Sequence, residues 1–284
     1  TSMLNSKADG RMEVLEQIRE IADGYFSRAI GNQCVIKWEG KLAFLAGVTG
    51  VIDSHHSVIQ KLGERFLYWR IPEISNDLVS KISRSMAGNM PEVRKDIQVA
   101  VVEFLHQYDI LSFPVNMSWQ DGLTDKLDLL LNIITIGRST ISRNPYTHVI
   151  EYRPEREVSG RVSKQLHNLA TGIAVINNKT LIDKPIYLIM AKIALDSMHS
   201  IRAQVLKYLW DTHTYRGAKK SIWTIADSLR FPESTVRMHI EDMVMIGMVH
   251  RNMAGNMNEY SISDYWYDLI LEAELYSNIA DNWK

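Results

Sequence analysis

The residues whose types could support chemistry begin with an adjacent pair of histidines, His55 and His56, with Asp53 two residues earlier. Imidazole and carboxylate groups are common metal ligands. Adjacent residues on a helix diverge by about 100°, however, so the two imidazoles cannot chelate one ion together. We therefore predict no metal site here and expect the histidines to line a subunit interface or a central pore.

The sequence also lacks the residue patterns typical of a catalytic nucleophile and of a phosphate-binding loop. No spacing typical of a Ser-His-Asp triad occurs, and Cys34, the one cysteine, has no evident activating partner. The chain contains no G-x-x-x-x-G-K-[ST] loop, and Glu39-Gly40-Lys41 lacks the upstream glycine. No apolar strand ends in the acidic pair that would hold Mg²⁺. The chain alone is expected neither to hydrolyse ATP nor to bind a cofactor tightly.

The C-terminal third predicts contact with double-stranded DNA. A helix (200–212), a short helix (221–229), a tight "RFP" turn, a longer helix (233–247) and two strands around Gly255-Asn256 follow one another. This is the order of a winged helix-turn-helix, whose second helix of the pair can enter a major groove. The side chains expected to contact DNA are Ser234, Thr235, Arg237 and Met238 on that helix and Arg251, Asn252 and Asn256 on the hairpin.

A packing or protein-docking role for the same module is the alternative. Residues 200–263 contain eight Lys/Arg against six Asp/Glu. A DNA-reading module usually carries a stronger basic stripe than this.

Composition sets the wider limits. The chain has 284 residues, enough for two or three domains, and its 46% hydrophobic and 23% charged residues are typical of a soluble globular protein. The net charge of −1 provides no global field that attracts nucleic acid. A single cysteine fits a reducing cytoplasm. No apolar run approaches the roughly 18–20 residues that span a bilayer, and the N-terminus does not have the order of a signal peptide. We expect a cytoplasmic protein with no membrane partner.

The elements that must position these residues fall into four segments. The apolar pattern of residues 1–73 predicts a partial α/β unit. Its predicted elements are a helix (12–23), a short strand (34–38), a longer strand (42–48), a helix (51–62) and an extended run (66–71). The run 42–48 is apolar on both faces, as in the central strand of a covered parallel sheet. Residues 74–199 are predicted to be helical, 200–264 to form the winged helix-turn-helix and 265–284 a helical tail. The predicted fold class is therefore mixed.

This order is similar to the C-terminal half of an AAA+ ATPase. The matching residues are "WEGKL" (38–42), "GVT" (47–49), "IDSHHSV" (52–58), "LGERF" (62–66) and "RIP" (70–72). They resemble a run found in a group of AAA+ proteins from phages and integrated mobile elements, and more distantly in minichromosome-maintenance-type and superfamily 3 replicative helicases. The similarity extends through "RSTISRN" and the winged helix. In such proteins a stretch like "TSML" follows soon after the Walker B strand, which suggests that the chain is a fragment.

The resemblance implies three catalytic positions. Thr49 would be sensor 1, which orients the attacking water. Arg65 would be the arginine finger that one subunit extends into its neighbour's site, and Arg161 would be sensor 2 of the lid. Alternatives remain open at each position. Thr49 could cap the following helix, Arg65 could be a surface arginine with Arg70 as the finger, and Arg153 or Arg156 could replace Arg161.

The preferred hypothesis is that the parent protein is an oligomeric, hexameric ATPase that uses ATP and Mg²⁺ and acts on DNA in the replication of a mobile element. A second hypothesis is a non-catalytic winged-helix transcriptional regulator. A third is a protein-docking adaptor, for which the apolar and acidic tail "YWYDLILEAELY" (265–276) could mediate assembly.

Overall fold

The computed structural model describes residues 8–30, 34–54, 66–72, 74–108, 117–141, 143–144, 147, 149–150, 157–212 and 219–277. Within these ranges the protein contains eleven helices and seven short strands, so the predicted mixed class is confirmed. None of these helices has the length and apolarity that crossing a bilayer requires.

The described N-terminal part is a helix followed by a hairpin. Helix α1 (Ala8–Ala22) leads through Gly24 into strand β1 (Tyr25–Ile30), which pairs antiparallel with β2 (Cys34–Glu39). Gly24 has a φ of 94°, a conformation that suits glycine, and its carbonyl accepts a hydrogen bond of 3.0 Å from the Gly40 N–H. The predicted helix and the strand at 34–38 are confirmed, whereas β1 was not predicted.

The predicted strand at 42–48 is wrong. Residues 41–49 have no regular secondary structure, and Leu45 is fully exposed. A strand is stabilised by hydrogen bonds to a neighbouring strand and by burial of its side chains. Residues 41–49 pair with no described strand, and their side chains are exposed. The parallel sheet expected around it is also not seen there. In the described part of the chain the parallel pairing is confined to β3 (Ser118–Trp119) and β4 (Leu181–Ile182).

The described helices between residues 51 and 106 contribute no buried residue to a core. Helix α2 (Val51–Ser54) covers the start of the predicted helix 51–62, and residues 55–62 lie outside the described part. Helices α3 (Asn76–Met86) and α4 (Met90–His106) follow, and neither contains a buried residue. Beyond the end of α4, the Tyr108 hydroxyl donates to the Ile176 carbonyl at 2.9 Å. This bond links the end of α4 to the central core.

The central core is formed by three helices, α5 (Leu123–Gly137), α6 (Ser159–Ile176) and α7 (Lys184–Asp196), which pack against one another. Asp183 caps α7 by accepting from the Ile186 N–H. Gly137 ends α5 against Met198, since an added Cβ would lie 2.0 Å from the Met198 sulfur. The fully buried residues of this core include Leu130, Ile133, Ile134, Val162, Leu166 and Met190.

The described residues 200–212 and 219–262 form a unit of three helices and a three-stranded sheet, which we call the hairpin unit. Its elements are α8 (Ser200–Asp211), β5 (Lys220–Ser221), α9 (Ile222–Leu229), α10 (Glu233–Met245), β6 (Val249–Ala254) and β7 (Met257–Ile262). The sheet order is β5-β7-β6 and both pairings are antiparallel. Arg230 turns the chain between α9 and α10 with a φ of 57°. These helices and the hairpin were predicted within a few residues.

The C-terminal helix α11 (Asp264–Glu272) packs on α5. Trp266 is 1% exposed, and beyond the helix the Ala273 carbonyl accepts a 2.6 Å hydrogen bond from the Tyr187 hydroxyl. Glu274 pairs with Lys126 and Lys184. Within this structure the tail therefore binds the body of the protein.

Candidate nucleic-acid interface

Helix α10 has one anchored face and one solvent face. Val236, Ile240 and Met243 are fully buried against the hairpin unit. On the other side Ser234, Arg237 and Met238 are exposed, and Thr235 is half-buried. Arg237 forms an ion pair with Glu233 one turn earlier. The exposed N-terminal half of α10 thus carries a hydroxyl group and a cation that can reach a ligand.

The hairpin of β6 and β7 extends beyond the sheet. Its six residue pairs run from Val249↔Ile262 to Ala254↔Met257, and Gly255 has a φ of 60° in the turn. Arg251 and Asn256 are exposed, as expected for contact residues. Asn252 is half-buried and donates from its side chain to the Ser261 hydroxyl at 3.4 Å. Part of its hydrogen-bonding capacity is therefore used within the hairpin.

Asp242 anchors α10 to the rest of the protein. Its carboxylate binds Arg202 of α8 at 3.0 Å and Arg143, which precedes α6, at 2.6 Å. Arg202 also donates to the Ser139 carbonyl at 2.6 Å. Burial acts to lower the pKa of Arg202, and Asp242 opposes that effect. Since all these groups are largely buried, they fix α10 relative to the end of α5.

His239 lies beside this ion-pair cluster. Its ring centroid is 4.3 Å from that of His199, and its Nδ1 is buried without a hydrogen-bond partner in the described structure. Burial, reinforced by the charges of His199 and Arg202, lowers the pKa of His239 to about 3. The imidazole is therefore neutral at physiological pH and contributes to packing.

A second polar cluster holds the junction between α7 and α8. Arg70 donates two side-chain hydrogen bonds to Asp53, at 2.7 and 2.9 Å, and others to the Asp196 and Met198 carbonyls at 2.8 and 3.1 Å. Its backbone N–H donates to the Asp196 carboxylate. Burial acts to raise the pKa of Asp53, but its hydrogen bond to Arg70 and the charge of Arg70 hold it below the usual range. With these donors engaged, Arg70 serves as a structural clamp in this conformation.

The three positions implied by the AAA+ resemblance are placed as follows. Thr49 is exposed, and its carbonyl accepts from the Ile52 N–H at 3.1 Å at the start of α2. Arg65 lies outside the described residues, and so do Arg153 and Arg156, the alternatives to Arg161 as sensor 2. Arg161 is exposed in the first turn of α6, 3.9 Å from Glu157.

Arg161 borders a cleft of about 540 Å³ between α1 and α6. Lys164, Gln165 and Asn168 line the same cleft, together with Phe66, the residue that follows Arg65. Thr49 is not among the described lining residues. The structure therefore brings the segment after Arg65 to the cleft of Arg161, and it does not bring Thr49 there.

The cleft fits an anion better than it fits a divalent cation. Arg161 and Lys164 supply two positive charges, which suit phosphate oxygens. Of the described lining residues only Asp23 is acidic. No group of three or more His, Cys, Asp or Glu side chains in the described ranges could hold a metal ion. His55 and His56 are outside those ranges.

A second cleft of about 810 Å³ lies between α6 and α7. Its walls are largely apolar and include Phe44, Phe66 and Trp69 from the irregular segments. The Lys192 ammonium lies 4.5 Å from the centre of the Trp69 ring, beside this cleft. Among its described lining residues Lys179 is the only charged one, so the described lining does not identify a ligand.

Comparison with known proteins leaves the family of the chain open: no protein family, no curated protein and no solved structure matches it.

Sequence reasoning missed the residues that hold α10 in place, namely Asp242, Arg202 and Arg143. For Asp242 the sequence did contain a usable signal, which is its spacing from His239 on the same helix. His239 and Asp242 are three residues apart and flank the apolar stripe of α10, which is where a buried polar contact with a neighbouring helix would fall. Their partners are distant in sequence and carried no comparable signal.

Proposed function

We propose that the hairpin unit is a winged helix-turn-helix that binds duplex DNA, with α10 in the major groove and the β6–β7 hairpin as the wing. The observation that carries this proposal is the exposed N-terminal half of α10, held from behind by the buried Asp242 cluster. A helix about 10–12 Å across fits a major groove about 12 Å wide. A rigidly mounted helix loses little conformational freedom on docking.

The side chains on this face suit DNA. Ser234 can donate to a phosphate or a base edge, and Arg237 can pair with a phosphate or a guanine. Arg237 is paired with the exposed Glu233 in the free protein. An exposed pair of this kind is worth at most about 1 kcal/mol, so exchanging it for a phosphate is feasible.

Fluorescence anisotropy of a labelled duplex with the full chain at low salt tests this function. Arg237→Ala should weaken binding about tenfold. It should also reduce the slope of the logarithm of affinity against the logarithm of salt concentration by about one. Arg94→Ala, which removes an exposed arginine from α4, is the matched control and should leave binding unchanged. Absence of binding by the unaltered protein at low salt would contradict the proposal.

A second candidate function, participation in an ATP-dependent DNA motor, is favoured by the cleft at Arg161. Arg161 and Lys164 line it together with Phe66. We propose that this cleft supplies the cationic part of a nucleotide site in an oligomeric AAA+ protein, and that phosphate-cradling and Mg²⁺-binding groups come from other residues. Thr49 and Arg65 remain predictions as sensor 1 and arginine finger.

Calorimetric titration with ATP and with inorganic tripolyphosphate tests this second candidate. We expect weak binding of both, with a dissociation constant on the order of a millimolar, since two partly exposed cations provide little affinity. The double variant Arg161→Ala/Lys164→Ala should abolish it. Binding that is unchanged in the double variant would contradict the assignment of the cleft.

A further inference from the structure

A row of three side chains crosses the sheet of the hairpin unit. Lys220 of β5 is opposite Tyr260 of β7, and Tyr260 is opposite Arg251 of β6. Residues that are directly opposite in a ladder point to the same face of the sheet, so a tyrosine lies between two cations on one face. Val249 and Ile262 form the next pair on this face and are buried, whereas Arg251 is exposed. The row therefore lies at the margin of the core.

The middle residue of this row, Tyr260, has a buried ring and a hydroxyl group that no described residue engages. The residue as a whole is 2% exposed, and its hydroxyl end is only partly buried. The hydroxyl makes no hydrogen bond to any residue in the described part of the chain. A tyrosine that packs in a core usually places its hydroxyl on a hydrogen-bond partner. Tyr260 therefore offers a free donor at the edge of the core.

Two arginines from different elements act on that hydroxyl. Burial raises the pKa of Tyr260, and the positive charges of Arg251 and Arg237 act to lower it. Glu241 acts in the same direction as burial. Effects of this kind require charges near the group. Since Arg237 is on α10, which packs against β6, and Arg251 is on β6 itself, the two guanidinium groups approach the hydroxyl from two elements. At neutral pH the hydroxyl is protonated and can donate a hydrogen bond.

The charges of this cluster favour an oxyanion. Lys220 and Arg251 form no ion pair with a described residue, and Arg237 is held by the exposed Glu233. Two guanidinium groups and a hydroxyl donor together match the oxygens of a phosphate. Backbone phosphates line both edges of the major groove, so one of them comes to lie between a helix in the groove and a hairpin beside it. The cluster therefore fits a backbone phosphate better than a base edge.

We propose that Arg237, Arg251 and the Tyr260 hydroxyl together hold one phosphate of the DNA backbone between α10 and the wing. This inference rests on the proposed binding of DNA by the hairpin unit and adds a shared contact that neither element makes alone. It assigns Arg237 to a phosphate and not to a guanine. Since phosphate contacts fix orientation and carry no sequence information directly, the cluster sets how α10 enters the groove and leaves base reading to other side chains.

Fluorescence anisotropy of a labelled duplex with the full chain, over a range of salt concentrations, tests the shared contact. Arg237→Ala and Arg251→Ala should each weaken binding about tenfold and reduce the slope of the logarithm of affinity against the logarithm of salt concentration by about one. The double variant should also lose only about tenfold and about one in slope, because each arginine alone fails to hold the phosphate. Two independent phosphate contacts would instead give about a hundredfold loss and a reduction in slope of about two.

Tyr260→Phe tests the hydroxyl, because it keeps the buried ring. Binding should weaken about fivefold, which corresponds to one hydrogen bond, and the salt slope should stay the same, since the hydroxyl is uncharged. The midpoint of urea denaturation should not change, because the hydroxyl has no partner in the free protein. Tyr265→Phe, at a tyrosine of α11 that is 56% exposed, is the matched control and should bind like the unaltered protein.

The outcomes separate the two proposals. Losses that multiply in the double arginine variant, or unchanged binding by Tyr260→Phe, would overturn the shared phosphate and leave the DNA-binding function intact. A lower urea midpoint for Tyr260→Phe would also overturn it, since the hydroxyl would then have a structural role. If the unaltered chain bound no duplex at low salt, both proposals would fall together.

Discussion

Mild acidification should destabilise this protein through His239. The imidazole is 6% exposed, and its surroundings include His199, Arg202, Arg143 and Asp242. Burial and the neighbouring positive charges outweigh the attraction of Asp242, so the pKa falls from 6.5 to about 3 on folding. The folded state therefore excludes a proton that the unfolded chain accepts.

The sign and size of the effect follow from that difference. The contribution to stability is fully present above pH 6.5, the unfolded pKa, and is lost as the pH falls toward the folded value. At pH 5 the loss amounts to about 2 kcal/mol. Most carboxyl groups are still ionised at about pH 5, so they contribute little to the change.

Urea denaturation followed by tryptophan fluorescence measures this loss at about pH 7.5 and about pH 5. His239→Gln is the control, because glutamine does not titrate in this range. The decrease in unfolding free energy between the two pH values should be about 2 kcal/mol smaller in the variant than in the unaltered protein. Equal decreases in the two proteins would refute the reasoning.

Three further predictions concern the contacts that hold the interface and the tail. Asp242→Asn should cost about 3 kcal/mol in urea denaturation, because it leaves the buried Arg202 without its anion; Glu241→Gln, at the half-buried neighbour that lies 3.7 Å from Arg143, should cost less than about 1 kcal/mol, and equal costs would contradict the assignment. In Arg70→Lys the side chain cannot donate two hydrogen bonds to Asp53, so hydrogen exchange of the backbone amide at position 70 should accelerate about tenfold. An unchanged exchange rate would contradict the role of Arg70 as a structural clamp. Trp266→Ala should destabilise the protein by about 3–5 kcal/mol, because burial of the indole holds the tail in place. Glu274→Ala should cost less than about 1 kcal/mol, because partly exposed ion pairs add little, and a larger cost for Glu274→Ala than for Trp266→Ala would contradict this.

Local patterns predicted the helical and C-terminal parts of the fold well. The helices predicted at 200–212, 221–229 and 233–247 and the Gly255-Asn256 turn each depend on interactions within a short stretch, and the structure contains all four. Elements whose formation depends mainly on residues close in sequence were therefore predicted correctly.

Predictions that depend on distant partners were less successful. The apolar run at 42–48 was compatible with a buried strand, but a strand also needs a ladder partner, and the run does not specify one. The Asp242 and Arg70 clusters join residues 17 to 128 positions apart, and single-sequence patterns carry no record of such pairs. The exposure of Ser234, Arg237 and Met238 on α10 was predictable because it follows from helical periodicity.

Hydrogen exchange of the full chain with and without duplex DNA tests the central claim most directly. If the hairpin unit is the DNA-binding surface, the duplex should slow exchange in the first turns of α10, at 233–238, and in the hairpin at 251–257, while the exposed helix α4 at 90–106 should exchange at the same rate. Protection confined to α4, or none at 233–238 under conditions in which the duplex is bound, would contradict the account.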